Sequence, residues 1–175
     1  MRNRRALLVF PLAALFAAGC LVSGQLILVQ VFGDGESSAD KTVHRISVDL
    51  NGNEDYDEHK DKLQSLEYFG FFVTVTNEGP GEAKGAMYLS LVDLGVSPSI
   101  ATIKAQATPI IENANLGAGE TRTITFEESQ DYITNLDAIE EAVLEGVFYL
   151  YGITDLGTAV EYENFIVVAS INVAL

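Results

Sequence analysis

The chain has 175 residues, 48% of them apolar, which suits one folded domain with a sizeable core and excludes a disordered chain. Its formal net charge of −15 repels nucleic acid and anionic lipid surfaces alike. Cys20 is the single cysteine, so the chain forms no internal disulfide and no cluster of thiolate metal ligands.

Residues 1–19 read as a signal peptide. Arg2, Arg4 and Arg5 form a short basic start, and residues 6–18 are an apolar run long enough for a signal and short for a membrane-spanning helix. The run closes on Phe16, Ala17, Ala18, Gly19 and Cys20. This segment resembles the lipobox of bacterial lipoproteins, where small residues give a peptidase access to extended backbone before a cysteine that receives diacylglycerol. Ala17 stands where the family usually has leucine. The resemblance implies cleavage before Cys20 and at least two acyl chains (palmitate among them) on that residue, and two chains hold a protein to a membrane where one does so only marginally. The alternative reading is an uncleaved anchor, or an ordinary signal beside a chance cysteine. Cleavage removes three arginines and no acid, leaving 7 basic and 25 acidic residues and a charge of −18. Leu21 in place of Asp is similar to lipoproteins passed to the outer membrane, where the host has one. Residues 20–24 are then a lipidated cysteine with a short tether, and residues 25–175 a single domain held close to the bilayer.

Beyond the tether most signals have period two. Residues 25–32 are apolar on both faces, as in a central strand, and residues 33–40 read as a polar loop. In residues 42–50, Ile46, Val48 and Leu50 share a face. Residues 55–66 read as a helix capped by Asp55 with Glu58 completing a capping box, its stripe formed by Tyr56, Leu63 and Leu66. Strands follow at 69–76 (Phe71, Val73 and Val75 inward) and 86–92, joined by a turn through Asn77, Gly79, Pro80 and Gly81. Two weaker strands are expected at 100–105 and 109–116, then one at 121–126. A second helix is expected over residues 127–145, opened by Thr125 and Glu128, interrupted at Asn135 and stopped by Gly146, with Tyr132, Ile133, Leu136, Ile139 and Val143 on its stripe. Strands at 147–154 and 164–175 close the chain.

Eight or nine strands at this spacing predict two packed antiparallel sheets. The segment from Val75 through Asn77 and Gly79 to Ala83 resembles a strand–turn–strand unit of bacterial Ig-like adhesion modules. The segment from Leu116 through Gly119 and Glu120 to Ile124 is similar to a later one. The fold class these imply is mainly β: an Ig-like antiparallel β-sandwich with two inserted short helical segments. The second of those helices departs from a standard module and is similar to an arrangement in uncharacterised envelope lipoproteins of environmental bacteria, from which no activity carries over.

Candidate sites are few. Asp49, Asn51, Asn53, Asp55 and Asp57 alternate in one acidic stretch, and hard oxygen ligands so spaced can wrap Ca²⁺. The stretch is no EF-hand, because Glu54 and Lys60 occupy the glycine and glutamate positions. Its structural reading is a strand-to-helix loop. Tyr149 and Tyr151 share a face and could form a binding platform or pack beneath a helix. His44, in phase with Ile46 and Val48, belongs at the rim of the core, and His59 falls on the first helix; their spacing is not that of a metal motif. No nucleophile elbow or phosphate loop is present. The expected function is therefore a non-catalytic, membrane-anchored envelope lipoprotein, a structural or protein-interaction module whose partners are the membrane, through lipid on Cys20, and an envelope protein, with no nucleic acid. The alternative is a sandwich that binds Ca²⁺ or a small ligand; a hydrolase on a sandwich is the third reading.

Overall fold

The computed structural model describes residues 20–22, 24–37, 42–154 and 159–174, with residues 20–22 and 34–37 as backbone alone. In chain order the elements are β1 (Cys20–Val22), β2 (Gln25–Ser37), β3 (Val43–Asp49), α1 (Glu54–His59), β4 (Leu63–Asn77), β5 (Ala83–Ser90), α2 (Ile100–Gln106), β6 (Thr108–Leu116), β7 (Thr121–Ile124), α3 (Leu136–Glu145), β8 (Val147–Thr154) and β9 (Val160–Val173). Single 3₁₀ turns occur at Leu50–Gly52, Lys60–Lys62 and Glu128–Asp131.

The chain forms the antiparallel β-sandwich expected of it. One sheet has the order β1-β2-β9-β4-β7 and the other β3-β8-β5-β6. The pairs β5·β6, β4·β7, β3·β8 and β2·β9 are nested like the rungs of one long hairpin. Rolling that hairpin adds the pairs β4·β9 and β5·β8. This is the connectivity of a jelly roll, two Greek keys wrapped face to face. An immunoglobulin sandwich sets its A, B, E and D strands against C, F and G. The Ig-like resemblance therefore extends to the sandwich class and its turns, while the strand order is that of the jelly roll.

Alternation explains which faces meet. Leu26 and Leu28 of β2, Phe71 and Val73 of β4, and Phe165, Ala169, Ile171 and Val173 of β9 are buried between the sheets, opposite Val48, Leu89, Phe148 and Leu150. The face expected of β9 forms; its Leu175 lies outside the described residues. Because consecutive strands run antiparallel, the links β2–β3, β4–β5, β6–β7 and β8–β9 gather at one pole, and the links bearing α1, α2 and α3 at the other. Asn135 Oδ1 caps α3 on the N–H of Ala138 (3.1 Å), and Gly146, at φ +82°, ends it. Its Ile139, Ala142 and Val143 then plug that pole between the sheets.

Several boundaries differ from the sequence expectation. Residues 100–105 form helix rather than strand: Ser99 Oγ accepts from the N–H of Thr102 (3.0 Å), and Ile103 buries fully against Tyr88 and Tyr151. This cap and anchor outweigh the β-branched residues. The first helix is α1 alone, capped by Asn53 rather than Asp55. Leu63 and Leu66 belong to β4, where they pair with Val173 and Ile171 of β9, Leu66 buried and Leu63 partly so. The second helix divides at Asn135 as expected, into a 3₁₀ turn and α3. Thr125 and Glu128 form the reciprocal box at its start (Thr125 N to Glu128 Oε2, 2.9 Å; Glu128 N to Thr125 Oγ1, 3.3 Å). Strand β2 continues to Ser37 through the segment read as loop, of which residues 38–40 lie outside the described residues, and it lies second from the sheet edge because β1 covers it. Strand β9 begins at Val160, earlier than its apolar face alone indicates.

Candidate functional site

The tether is itself a strand. Cys20 lies opposite Ile27 and Val22 opposite Gln25, joined by a turn at Gly24 with φ +85°. The backbone from Cys20 onward is thus hydrogen-bonded to the sheet, and the sulfur of Cys20 is outside what is described. Beyond it, the outer face of this sheet carries an apolar stripe. Val29 lies opposite Val168 and Val31 opposite Ile166, which lies in turn opposite Phe72. Val31 is 49% exposed, and no helix covers the stripe among the described residues.

The acidic loop is occupied with shaping the chain. Asp49 Oδ1 accepts from the backbone and side-chain amides of Asn51 (3.0 Å each), Asn53 Oδ1 accepts from Tyr56 N (3.1 Å), and Asp57 pairs with Lys60 at 2.7 Å. Among the described residues no group of three or more His, Cys, Asp or Glu side chains is placed to hold a metal ion. These capping bonds are the strand-to-helix role that the sequence offered beside calcium.

Tyr151 is fully buried beneath α2, the packing role that the sequence offered beside a binding platform. Its hydroxyl accepts from Leu94 N (2.8 Å) and donates to Asp93 Oδ1 (3.3 Å). Arg45 holds Asp93 with two bonds of 3.0 and 2.7 Å and lies over the ring of Tyr149, 4.8 Å from its centroid. The N–H of Gly95 and then Arg45 hold the Asp93 carboxyl below its ordinary range. The two tyrosines thus fasten the β5–α2 link across the outer face of the four-stranded sheet, and Tyr151 has no surface left for a ligand.

A buried polar hub was invisible in the sequence. Asn77, 0% exposed, donates from Nδ2 to the carbonyls of Gly81 (2.7 Å), Leu116 (3.1 Å) and Gly117 (2.9 Å), and its Oδ1 accepts from Gly79 N (2.9 Å). It binds the β4–β5 and β6–β7 turns to each other, the two segments that carried the Ig-like resemblance. Beside it Glu120 accepts from Gly117 N (2.7 Å) and pairs with Arg122 (2.6 Å), which keeps its carboxyl below the ordinary range.

The principal concavity lies between the sheets at the pole without α3. Its volume is about 220 Å³, and its wall is almost wholly apolar. Phe71, Val73, Ile124 and Phe165 form one side, and His44, Ile46, Met87 and Ile111 the other, with Tyr132 closing the gap between β6 and β7. Phe165 stacks on Phe32 and meets Phe71 edge-on at the floor. The space exists because three residues facing it are small: Gly85, Gly152 and Ala114. Strand β6 also bulges at Asn113, where φ is +57° and the register slips. The one buried side-chain polar atom without a hydrogen-bond partner among the described residues is Thr154 Oγ1, on the wall of this cavity.

No protein-family model matches the chain. No curated protein matches it either. Among solved structures the chain is similar to one described as "Structure of infectious bursal disease virus Gx strain", with 12% identity and a TM-score of 0.35 over 86% of this chain and 37% of that one. The chain therefore spans well under half of that protein, and the likeness is too distant to bear on function.

The two histidines fall at opposite poles. His44 lines the cavity, and His59 on α1 lies with Nδ1 2.9 Å from the carbonyl of Asp55. The cavity wall includes both His44 and Thr154 but no carboxylate among its described lining residues. The sequence signal for the cavity was present: glycine interrupts two strands at Gly85 and Gly152, and both fall on the inward face.

Proposed function

We propose that this chain is an envelope lipoprotein: a non-catalytic jelly-roll module cleaved before Cys20 and held at a membrane by lipid on that residue, where it acts as a structural or protein-interaction unit. The observation that carries the reading is the ordered signal of basic start, apolar run and small residues that ends on the single cysteine. The geometry that follows fits it. A lipid on Cys20 would attach to backbone already paired with β2, so the domain would ride directly on its anchor with no flexible stalk. The same attachment would bring Val29 and Val31, on the strand next to the tether, beside the bilayer, a location that suits the exposed apolar side chain of Val31 in an acidic protein. No helix among the described residues is long and apolar enough to cross a membrane.

The test is fractionation of cells expressing the parent and Cys20→Ser, with intact mass of the extracted protein. The parent is expected in the membrane fraction, lacking residues 1–19 and heavier by its acyl groups, and the variant in the aqueous fraction. A variant retained in the membrane as fully as the parent would overturn the anchor.

A further inference from the structure

We propose that the cavity between the sheets is a binding site for a small, neutral, mostly apolar molecule with one hydrogen-bonding oxygen, such as a medium-chain alcohol or ester. The first ground is the pair of glycines. Glycine weakens a strand interior and has no side chain to pack, so it persists where a turn, a bulge or close approach requires it. At Gly85 an added Cβ would meet nothing nearer than 3.5 Å, and at Gly152 nothing nearer than 3.7 Å. Both distances are ordinary contacts, and neither residue has a positive φ. A Cβ would fit at both positions without a close contact, so what the glycines preserve is the space itself.

The second ground is Thr154. A buried hydroxyl without a partner is costly, and among the described residues Thr154 Oγ1 has none, on the wall of an almost wholly apolar cavity. Water is a poor remedy, because a well-held water needs two to four polar partners and the wall around Thr154 is almost wholly apolar. A ligand oxygen satisfies the hydroxyl while its carbon body fills the remainder. Volume sets the size: an apolar cavity of about 150 Å³ takes up one benzene, roughly 25 Å³ per carbon, so 220 Å³ holds about nine carbons. Charge sets the head group. No lysine or arginine is among the described lining residues, and the chain carries −15, so a carboxylate would be buried without a fixed cation and repelled on approach.

The experiment is titration of the full chain, held in lipid nanodiscs where acylated, with 1-nonanol, nonane and nonanoate at pH 7.5, read through methyl NMR signals. Nonanol should shift Ile46, Val73, Ile111 and Ile124 and leave Leu26 and Ile171 unmoved. Gly85→Val and Gly152→Val fill the chamber; each should melt higher than the parent and lose those shifts. Thr154→Val keeps the shape and removes the hydroxyl. It should weaken nonanol by about 2- to 10-fold, the worth of one hydrogen bond, leave nonane unchanged, and raise the melting temperature of the empty protein. Absence of shifts up to the solubility of nonanol, or equal shifts at Leu26 and Ile171, would overturn the site. Tighter binding of nonanoate than of nonanol, or indifference to Thr154→Val, would overturn the assigned head group.

Discussion

Replacing Asn77 tests whether the two turns at the cavity pole are held by one side chain. Asn77→Ala removes an amide whose two N–H groups are shared among three carbonyls and whose oxygen accepts from Gly79 N. The carbonyl of Leu116 is left in a buried site, which costs about 1–3 kcal/mol, while the carbonyls of Gly81 and Gly117 and the N–H of Gly79 are partly buried and, reached by water, lose about 0.5–1 kcal/mol each. The total is about 2.5–6 kcal/mol, a large part of the roughly 5–15 kcal/mol that holds a domain of this size, and corresponds to about 5–24 °C in melting temperature. Asn77→Asp sharpens the test, because it keeps the shape and directs a carboxylate oxygen at three carbonyls. At neutral pH it should be at least as unstable as Asn77→Ala. Burial and the facing carbonyls raise its folded pKa above the unfolded value, so protonation favours the folded form and stability should recover as pH falls through that raised pKa. Urea unfolding by far-ultraviolet circular dichroism at pH 7.5 and 5 measures both. A loss below about 1 kcal/mol for Asn77→Ala, or an Asn77→Asp variant indifferent to pH, would refute the hub.

Tyr56 and Gly146 provide two further predictions at the opposite pole. Tyr56, 1% exposed, donates to the carbonyls of Val143 (2.8 Å) and Leu144 (3.1 Å), and burial, with Glu145 adding, pushes its pKa up to about 12. The folded pKa lies above the unfolded value of 10.0, so this contribution is fully present below pH 10 and is lost between pH 10 and about 12. Tyr56→Phe should lose about 1–2 kcal/mol at neutral pH, and its stability difference from the parent should shrink above pH 10 in urea titrations; a constant difference would contradict the shift. Gly146→Ala would place a Cβ 2.8 Å from the Tyr56 hydroxyl at φ +82°. It should cost about 2–3 kcal/mol, against about 1 kcal/mol for Gly119→Ala, which is equally left-handed but open. Equal urea midpoints for the two variants would show that the Tyr56 contact is slack.

What the sequence disclosed depended on how far a signal had to reach. Strand β8 and the buried face of β9 were legible because one sheet face lies in the core and the other outside it, which writes alternation directly into the chain. The break at Asn135, the stop at Gly146 and the box opened by Thr125 were legible because each is settled within a few residues. Leu63 and Leu66 were misplaced because their spacing from Tyr56 satisfies a helix, while the deciding partner, β9, lies about a hundred residues downstream. The nested order of the strands is equally non-local, so a sandwich could be inferred and its jelly-roll wrapping could not. Sites followed the same division. The Cys20 proposal rests wholly on its immediate neighbours in sequence, whereas Asn77 looked like any turn asparagine until Leu116 and Gly117 arrived beside it.

The two poles of the sandwich connect these observations. A rolled hairpin leaves an opening at each end, and the long links at one end supply α3, whose Ile139 and Val143 close it. At the other end the described β4–β5 and β6–β7 links are turns held to each other by Asn77, and the glycines at 85 and 152 bring no side chain to serve as a plug. Register places the tether relative to this opening. Cys20 lies opposite Ile27 and Ile27 opposite Ser170, near the plugged pole, whereas Tyr162 of the same strand lines the cavity. At ~3.3 Å per residue the two points are about 26 Å apart along β9. On the proposed anchoring, the attached edge and the cavity therefore occupy different ends of one rigid sheet. A molecule entering the cavity would come from the aqueous side, which favours a ligand small enough to be soluble as a monomer, and a carbon count near nine meets that condition where a membrane-length acyl chain does not.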